Sequence, residues 1–409
     1  MEPGTIWLLI CSALVLFMTP GLAFFYGGLV KARSVISMMM LSFGAMGLVF
    51  VLWILYGFNM TVAANGGWID GWLGNPFSDF ALSDLSSGEN AVGLKDVAFG
   101  STFAVITTAL ISGAVADRAR FFPWMLFAGL WATIVYFPSQ GWVWALDGDE
   151  AIGWIGSMTI GDAVPIDWAG GTVVHISAGA AALALALVLG KRTVGFSKAD
   201  AEPHNVPLVL IGAAVLWFGW FGFNTGAAGG DGAVASLIFL NTIAAPAAGI
   251  LGYIVVEHFK DGKPTAVGAA SGLVAGLVAI TPACANLTPF WAIVLGLFAG
   301  AVCCFAIDLK YKLGYDDSLD VVGLHLVAGF IGCLYLGLFA TDTGLFTGGD
   351  FDQMIAQIIP AVFVAVFSFA VAFGLGKAID ATIGFRVTED EEVAGLDNVL
   401  HGGAAYKFD

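Results

Sequence analysis

Residues 167–179 read DWAGGTVVHISAG, and residues 317–329 read DSLDVVGLHLVAG. The two segments share the pattern D-x7-H-x2-A-G, with His175 in the first and His325 in the second. Each histidine lies inside a long apolar stretch, the kind of sequence that crosses a membrane as a helix. An ionisable side chain costs several kcal/mol to bury in a bilayer, so one found there is a functional candidate. The repeated segment therefore predicts a membrane protein with its site at the two histidines.

The composition of the whole chain also indicates a protein of the lipid bilayer. Of its 409 residues, 59% are hydrophobic and 11% are charged, against roughly 45–50% and about 25% in soluble domains. So few charges cannot cover the surface of a soluble protein of this length. The 15 Lys and Arg residues, against 31 Asp and Glu, offer no basic face for nucleic acid. A soluble enzyme, a disordered chain and a nucleic-acid binder are thus excluded.

Apolar stretches of about 20 residues predict eleven membrane-spanning helices, because a helix of that length crosses the hydrocarbon core. Helices are expected since lipid offers the backbone no hydrogen-bond partners outside the segment itself. The predicted spans are roughly 6–30, 35–59, 97–116, 121–145, 167–190, 205–228, 233–256, 265–284, 287–309, 319–341 and 354–380.

The basic residues predict the orientation, since Lys and Arg accumulate in cytoplasmic connections. Of the 15 basic residues, 14 fall on one alternating set of connections, and Lys95 is the exception. The opposite set is acidic. With eleven spans, this distribution places the N-terminus outside and the C-terminus in the cytoplasm.

The repeated motif also predicts an internal symmetry. His175 lies in the fifth span and His325 in the tenth, so the two motifs cross the membrane in opposite directions. Inverted repeats place a shared site near the midplane, where the two halves meet. We expect halves at about 6–190 and 205–341 and an added helix at about 354–380. Together they form a membrane domain over 1–382, followed by a cytoplasmic tail over 383–409.

Three interpretations of the histidine pair remain open from the residues alone. The rings can be structural and hydrogen-bonded between helices, or they can be axial ligands of a haem. They can also be polar elements of a conduction path, because imidazole donates at one nitrogen and accepts at the other. The five cysteines show no spacing typical of metal ligands, so no metal or other cofactor is predicted.

Aromatic residues near the predicted outer ends of the spans favour the conduction path. Residues 217–230 read WFGWFGFNTGAAGG, Phe99 and Phe103 are one helical turn apart, and Trp142 and Trp144 close the fourth span. Interfacial aromatic belts account for many such residues. Aromatic faces gathered at one mouth would also attract a cation, at roughly 0.5–2 kcal/mol per contact.

At these residues the sequence resembles the ammonium transporter family (Amt/Mep/Rh), and its Amt/Mep branch most closely. The resemblance runs along the chain, through GLAFFYGGLVKARSV at 21–35, FGSTFAVITTALISGAVADRARF at 99–121, DWAGGTVVHISAGAAALALALVLGKR at 167–192 and GLVAITPACANLTP at 276–289. It implies a homotrimer of eleven-helix subunits in the cell membrane, each with its own ammonium pore. It also implies that no enzymatic activity is present.

The resemblance implies an outer cation site that holds ammonium at Phe103, Trp144 and Phe223. Many members carry Ser one turn beyond that last phenylalanine, where this chain has Ala227. We therefore expect the substrate site to lack a hydroxyl acceptor. Phe99 and Phe223 match the stacked phenylalanines that close the pore below the site.

Deeper in the pore, the resemblance assigns His175 and His325 to the lining. It assigns Asp167 to a buried carboxylate that stabilises the cation-competent vestibule. Three further residues match other pore-supporting positions of the family, namely Asp320, Trp220 and Thr281.

The resemblance leaves two functions in view. The first is transport, in which ammonium loses its proton at the outer site and ammonia crosses the pore. The alternative is a sensor that uses the same fold without net conduction, for which a fused signalling domain would be typical. About 28 residues follow the predicted last span, which favours transport. The family is also commonly gated by PII-type regulatory proteins at the cytoplasmic face, and such a partner is predicted here.

Overall fold

A computed structural model describes residues 2–61, 67–147, 149–194, 196–198 and 202–406. Sixteen α-helices are found in this part of the chain: α1 Pro3–Leu29, α2 Val35–Leu52, α3 Phe58–Thr61, α4 Leu94–Ile111, α5 Phe121–Trp131, α6 Phe137–Trp144, α7 Ser177–Leu189, α8 Val206–Thr225, α9 Gly232–Asp261, α10 Ala266–Ile280, α11 Pro289–Ala306, α12 Leu309–Leu313, α13 Val327–Phe339, α14 Asp352–Thr382, α15 Glu389–Ala394 and α16 Leu396–His401.

Short π-helical and 3-10 segments extend several of these helices. The π-helical segments are Trp53–Gly57, Ala132–Tyr136, Gly171–Ile176 and Val322–Leu326, and the 3-10 segments are Phe80–Leu82, Gly88–Gly93, Ser112–Val115 and Gly226–Ala228. Two short antiparallel strands, β1 Leu146–Asp147 and β2 Glu150–Ala151, form a hairpin after α6.

Ten continuous helical stretches of the described residues are long and apolar enough to cross a membrane. The prediction of an all-α integral membrane protein is therefore confirmed. The stretch predicted as an eighth span, about 265–284, contains α10, which has 15 residues. At 1.5 Å per residue it is about 22 Å long, shorter than the roughly 30 Å hydrocarbon core. Most of α10 is buried among α8, α9, α11 and α13.

The first helix of each predicted half packs along the other, α1 against α8. Small residues make this contact close. A Cβ atom at Gly212 on α8 would lie 2.2 Å from the backbone nitrogen of Phe25 on α1, so no larger residue fits without moving the backbone. Small residues at such crossings are typical of membrane helices, which associate through close packing rather than through the hydrophobic effect.

The segment after α14 is folded back on the helical domain. The backbone N–H of Arg120 donates to Phe385 O (2.9 Å), and that of Val387 donates to Arg118 O (2.9 Å). The Asp397 carboxylate accepts the N–H groups of Ile36 (3.1 Å) and Ser37 (2.8 Å). Asp397 thereby caps the N-terminus of α2. The predicted tail 383–409 is thus packed against the domain, and its last three residues lie outside the described part.

Candidate functional site

A cavity of about 580 Å³ opens beside the ends of α4, α6 and α8. Three of its lining rings form a compact group. Phe103 stacks on Phe223 with ring centroids 4.0 Å apart and planes 12° apart. Trp144 meets Phe103 edge-on at 5.8 Å. The structure thus brings together the three residues predicted as the outer cation site, and Ala227 lines the same cavity.

The predicted partnership between Phe99 and Phe223 is corrected by this geometry. The ring stacked on Phe223 belongs to Phe103, while Phe99 meets Phe103 edge-on at 4.8 Å and 62°. Phe99 and Phe103 share one face of α4 because they are four residues apart. Phe103 lies one turn deeper and is nearly fully buried, so it reaches the floor of the cavity. The spacing alone could not decide which ring stacks.

Asp167 organises the chain between the cavity and the first histidine. Its carboxylate accepts four backbone N–H groups, at 2.9 and 2.6 Å on Oδ1 and at 2.9 and 3.1 Å on Oδ2. The donors are residues 170–173, which begin the π-helical segment that carries His175. The backbone carbonyl of Asp167 accepts the indole N–H of Trp144 at 2.8 Å. One buried aspartate therefore positions both the aromatic site and the histidine segment.

The two histidines meet at the centre of the molecule. His175 and His325 are 1% and 4% exposed, and their Nδ1 atoms are 3.2 Å apart. One proton can lie between these nitrogens, so one ring donates from Nδ1 and the other accepts there. The donating ring then has a bare Nε2, and the accepting ring carries its proton on Nε2. The pair thus presents one acceptor and one donor to a small solute.

Trp220 and Thr281, which the resemblance assigned to pore-supporting positions, lie beside this pair. The Trp220 indole stacks on the His175 ring at 5.5 Å and 18°. Its N–H donates to Thr281 Oγ1 at 2.8 Å, and that hydroxyl donates to Leu277 O at 2.7 Å. The tryptophan plane is therefore fixed on both sides, which limits rotation of the first histidine.

A second, much smaller cavity of about 10 Å³ lies below the stacked phenylalanines. That volume is about what one water molecule requires. Its lining is apolar except for the histidines and one indole, and includes Leu22, Ile106, Leu216, Trp220, His175 and His325. Among the described residues, His175 Nε2 is buried without a hydrogen-bond partner. The cavity thus offers a free imidazole nitrogen in apolar surroundings.

The structure gives different surroundings to Asp320, which the resemblance assigned to a pore-supporting position, and to Asp317, the aspartate of the second motif. Asp320 lines a third cavity of about 230 Å³, its side chain is 28% exposed, and it pairs with Lys310 at 2.6 Å. Asp317 is 1% exposed, and its carboxylate accepts the N–H of Val322 at 2.7 Å. The buried counterpart of Asp167 is therefore Asp317, as the shared motif spacing indicated. The backbone of Asp320 has a φ of +63°.

Gln357 on α14 is a site residue that the sequence search missed. Its amide binds both backbone groups of Ile166, accepting the N–H at 2.6 Å and donating to the carbonyl at 2.8 Å. The same amide donates to Cys333 O on α13 at 3.2 Å. Gln357 thus joins the residue before Asp167 to the helix that follows His325. Its signal was an uncharged polar residue inside an apolar span, which often forms such a link.

Haem ligation does not fit the histidine geometry. Two nitrogens on opposite sides of one iron would be about 4 Å apart, given metal–nitrogen bonds of about 2 Å as in other histidine sites. The Nδ1 atoms are 3.2 Å apart and face one another. Among the described residues there is also no group of three His, Cys, Asp or Glu side chains suited to a metal ion.

The fold and the site together define a polytopic α-helical membrane protein with a histidine-lined cavity at its centre, below an aromatic vestibule. Comparison with known proteins identifies the family of the chain. Residues 6–406 match the family model described as Ammonium Transporter Family, and the chain belongs to that family.

Similarity to individual proteins is equally extensive. An ammonium transporter of Mycobacterium tuberculosis is 47% identical, over 99% of this chain and 90% of that protein. The crystal structure of Candida albicans Mep2 superposes with a TM-score of 0.85 and 31% identity, over 96% of this chain and 87% of the other. A structure titled Sensor Amt Protein gives a TM-score of 0.89 and 26% identity, covering 98% of both chains. The relatives' names indicate a non-enzymatic role.

Proposed function

We propose that the protein is an ammonium transporter that binds ammonium at the outer aromatic site, removes a proton and conducts ammonia past the histidine pair. The observation that carries this proposal is the arrangement at the centre. The imidazole rings of His175 and His325, which can both be neutral, have Nδ1 atoms 3.2 Å apart. They line a narrow apolar cavity directly below the stacked phenylalanines. Such a path suits a small hydrogen-bonding solute without permanent charge.

Recruitment of the cation would occur in the vestibule. The faces of Phe103, Trp144 and Phe223 attract ammonium by cation–π interactions, worth roughly 0.5–2 kcal/mol each. The buried Asp167 carboxylate adds a negative charge close by. Within the described part of the chain, no Lys or Arg forms an ion pair with it. Its charge therefore remains available to favour a cation in the vestibule.

Selectivity would follow from the loss of the proton. Potassium is close to ammonium in size, so the diameter of the path cannot separate them. A bare cation entering an apolar cavity loses its hydration and meets a large free-energy penalty. Ammonium avoids most of that penalty by leaving its proton behind, which potassium cannot do. The histidine nitrogens then offer ammonia one acceptor and one donor.

The remaining features of the proposal concern membrane placement and assembly. We propose eleven spans with α10 as the eighth, the N-terminus outside and the C-terminus in the cytoplasm. We also propose a homotrimer in the plasma membrane that serves nitrogen uptake. We assign the third cavity to the cytoplasmic face. Its lining includes Arg192, Lys198 and Lys310, and Lys and Arg are enriched at cytoplasmic ends of membrane spans. A PII-type regulatory protein is the expected partner there.

A sensor is the second candidate, because the structural neighbours include one titled Sensor Amt Protein at a TM-score of 0.89. A sensor of this fold would bind ammonium without sustained transport. The two functions differ in whether purified protein passes a current, which geometry common to both does not decide.

Currents in proteoliposomes under pulses of ammonium, methylammonium and potassium test the proposal. We expect the native protein to respond to ammonium and to exclude potassium, and the His175→Leu/His325→Leu double variant to lose selective transport. His258→Leu, which removes an exposed histidine on α9, is the matched control and should behave like the native protein. If the double variant still carried ammonium currents and excluded potassium, the proposed role of the two histidines would be wrong. Saturable binding without current in the native protein would favour the sensor.

A further inference from the structure

Gln140 lies in the outer vestibule but has no role in the transport mechanism proposed for the protein. It lies on α6 and lines the same cavity as Phe103, Trp144 and Phe223. Gln140 and Trp144 are four residues apart, so they project from one face of the helix. We propose that the Gln140 side-chain carbonyl is the hydrogen-bond acceptor for the cation in this vestibule. This inference rests on the proposed function of the site.

The position of the amide is set by close packing against α4. A Cβ atom at Gly100 would lie 2.9 Å from Gln140 Nε2 and 2.8 Å from a ring carbon of Trp53. Gly100 therefore leaves the space that the amide occupies. Because Gly100 lies between Phe99 and Phe103 on α4, the amide rests beside the turn that carries the vestibule rings.

The side-chain oxygen of Gln140 lacks the hydrogen bond that its burial demands. Gln140 Oε1 is buried, and within the described residues it has no hydrogen-bond partner. Buried side-chain oxygens in native proteins are nearly always paired, and an exception calls for an explanation. A ligand that donates hydrogen bonds supplies one. Rotation about the terminal bond of a glutamine is broad and exchanges its oxygen and nitrogen ends, so the oxygen can turn to the cavity without backbone movement.

The chemistry of the vestibule leaves room for such an acceptor. Aromatic faces attract a cation but accept no strong directional hydrogen bond from it, and the methyl group of Ala227 accepts none. Ammonium carries four N–H donors, and methylammonium carries three. A single carbonyl oxygen that receives one of these donors increases affinity at the entrance. Because potassium has no N–H to donate, this oxygen favours ammonium at the entrance, while full rejection of potassium follows from proton loss deeper in the pore.

The test compares binding and stability in Gln140→Leu, which keeps the side-chain size and removes the amide. We expect the ammonium concentration for half-maximal current to rise about tenfold, as for loss of one hydrogen bond to a charged group. The maximal current should stay unchanged. The unfolding temperature in potassium chloride should stay equal or rise, because an unsatisfied polar group has been removed. A purely structural Gln140 predicts the reverse, with lower stability and unchanged half-saturation.

Two further variants sharpen the test. Adding Ala227→Ser to Gln140→Leu restores an oxygen acceptor to the same cavity, and we expect it to recover much of the lost affinity. Gln140→Glu should lower the half-saturating concentration, with an effect that weakens at high salt. Ser139→Ala is the matched control on α6, since its hydroxyl bonds Val135 O, and it should leave half-saturation unchanged.

Failure of this inference can be separated from failure of the transport proposal. Ammonium binding is also read from the rise in unfolding temperature on replacing potassium chloride by ammonium chloride, which requires no conduction. If native protein conducts while Gln140→Leu keeps half-saturation within about twofold, the Gln140 role is wrong and transport stands. If native protein shows the thermal shift without current, transport is wrong. Loss of that shift in Gln140→Leu would then still support Gln140.

Discussion

The two segments that precede the paired histidines share one local design and differ in what holds them. Asp167 and Asp317 each stand eight residues before a histidine. Each carboxylate accepts backbone N–H groups where a π-helical turn begins. Such turns are rare in proteins and frequent at functional sites. The likeness of the two segments therefore extends from the sequence to the backbone conformation at the histidines.

Uncharged side chains hold the first segment, and cations hold the second. The backbone carbonyl of Asp167 accepts the Trp144 indole N–H at 2.8 Å, whereas that of Asp317 accepts the Lys310 ammonium at 2.9 Å. Arg192 binds the neighbouring Asp316 carboxylate through Nε and Nη2 at 3.0 Å each. Burial opposes ionisation of Asp316, but Arg118 and Arg192 outweigh it and lower its pKa.

This difference shows which part of the site depends on local sequence and which on surroundings. The D-x7-H spacing is sufficient for the cap and the turn in both halves. The side chains packed around each segment decide whether cations lie beside its carboxylates. The first segment leaves a carboxylate without an ion pair beside the aromatic vestibule. In the second segment, Arg192 pairs with Asp316 and Lys310 pairs with Asp320, on either side of Asp317. Under the proposed function, this arrangement favours a cation at the vestibule end of the path.

The largest effect is expected for Asp167→Asn. An amide replaces one acceptor oxygen by an NH₂ group, so two of the four backbone N–H groups at residues 170–173 lose their acceptor. Each unsatisfied buried donor costs about 1–3 kcal/mol, and the vestibule also loses its negative charge. We expect ammonium current in proteoliposomes to fall at least about a hundredfold, since 1.4 kcal/mol corresponds to tenfold.

Asp317→Asn is the matched variant in the second half. The Asn carbonyl can keep the hydrogen bond from Val322 N, and the removed charge lies beside Lys310. We expect less than about a tenfold loss of current. Equal losses in the two variants would contradict the idea that only the first carboxylate supports the cation.

A smaller effect is expected when the Gln357 amide, which holds Ile166 beside the Asp167 segment, is removed. Gln357→Leu leaves the backbone N–H and C=O of Ile166 without partners and removes a second hydrogen bond to the helical carbonyl of Cys333. We expect a loss of about 3 kcal/mol in unfolding free energy, since each stranded group costs about 1–3 kcal/mol and partial relaxation reduces the sum. Unfolding in detergent, followed by tryptophan fluorescence, measures it.

Gln353→Leu is the control for Gln357→Leu, because Gln353 lies one turn away on the same helix. It donates to Val164 O at 2.9 Å and to Gln357 Oε1 at 3.2 Å, and it does not reach Ile166. We expect a loss near 1 kcal/mol. If both variants lost the same free energy, Gln357 would have no special part in holding the Asp167 segment.

The sequence predicted those parts of the site that depend on spacing and hydropathy. The long apolar stretches and the scarcity of charge were enough for the helical membrane fold. The shared motif indicated that His175 and His325 meet, because inverted repeats place equivalent residues at one interface. The charge distribution also predicts which ends of the spans face the cytoplasm, and that orientation stays a prediction.

The features that escaped prediction depend on rotation and on uncharged polar groups. Helical spacing puts Phe99 and Phe103 on one face, but the ring that stacks on Phe223 depends on helix depth and rotation. Gln357 and Gln140 carry no charge, so a search for ionisable residues passes over them. Gln357 binds mainly backbone groups and Gln140 Oε1 has no partner among the described residues, and only the packed structure shows this.

The smallest effect expected is a difference in pH dependence between native protein and Asp317→Asn. Burial raises the pKa of Asp317 to about 6, although Lys310 lowers it, against about 3.9 in an unfolded chain. Between these values the folded protein binds more protons, so lowering the pH from 6 to 4 should stabilise it at this site. We expect the native protein to gain on the order of 1 kcal/mol relative to Asp317→Asn over that interval. Unfolding in detergent at pH 6, 5 and 4 measures the gain, with both proteins compared at matched ionic strength. If the unfolding free energies of the two proteins changed in parallel with pH, Asp317 would titrate as an ordinary carboxylate. Its burial would then not affect its ionisation, contrary to the comparison of the two segments.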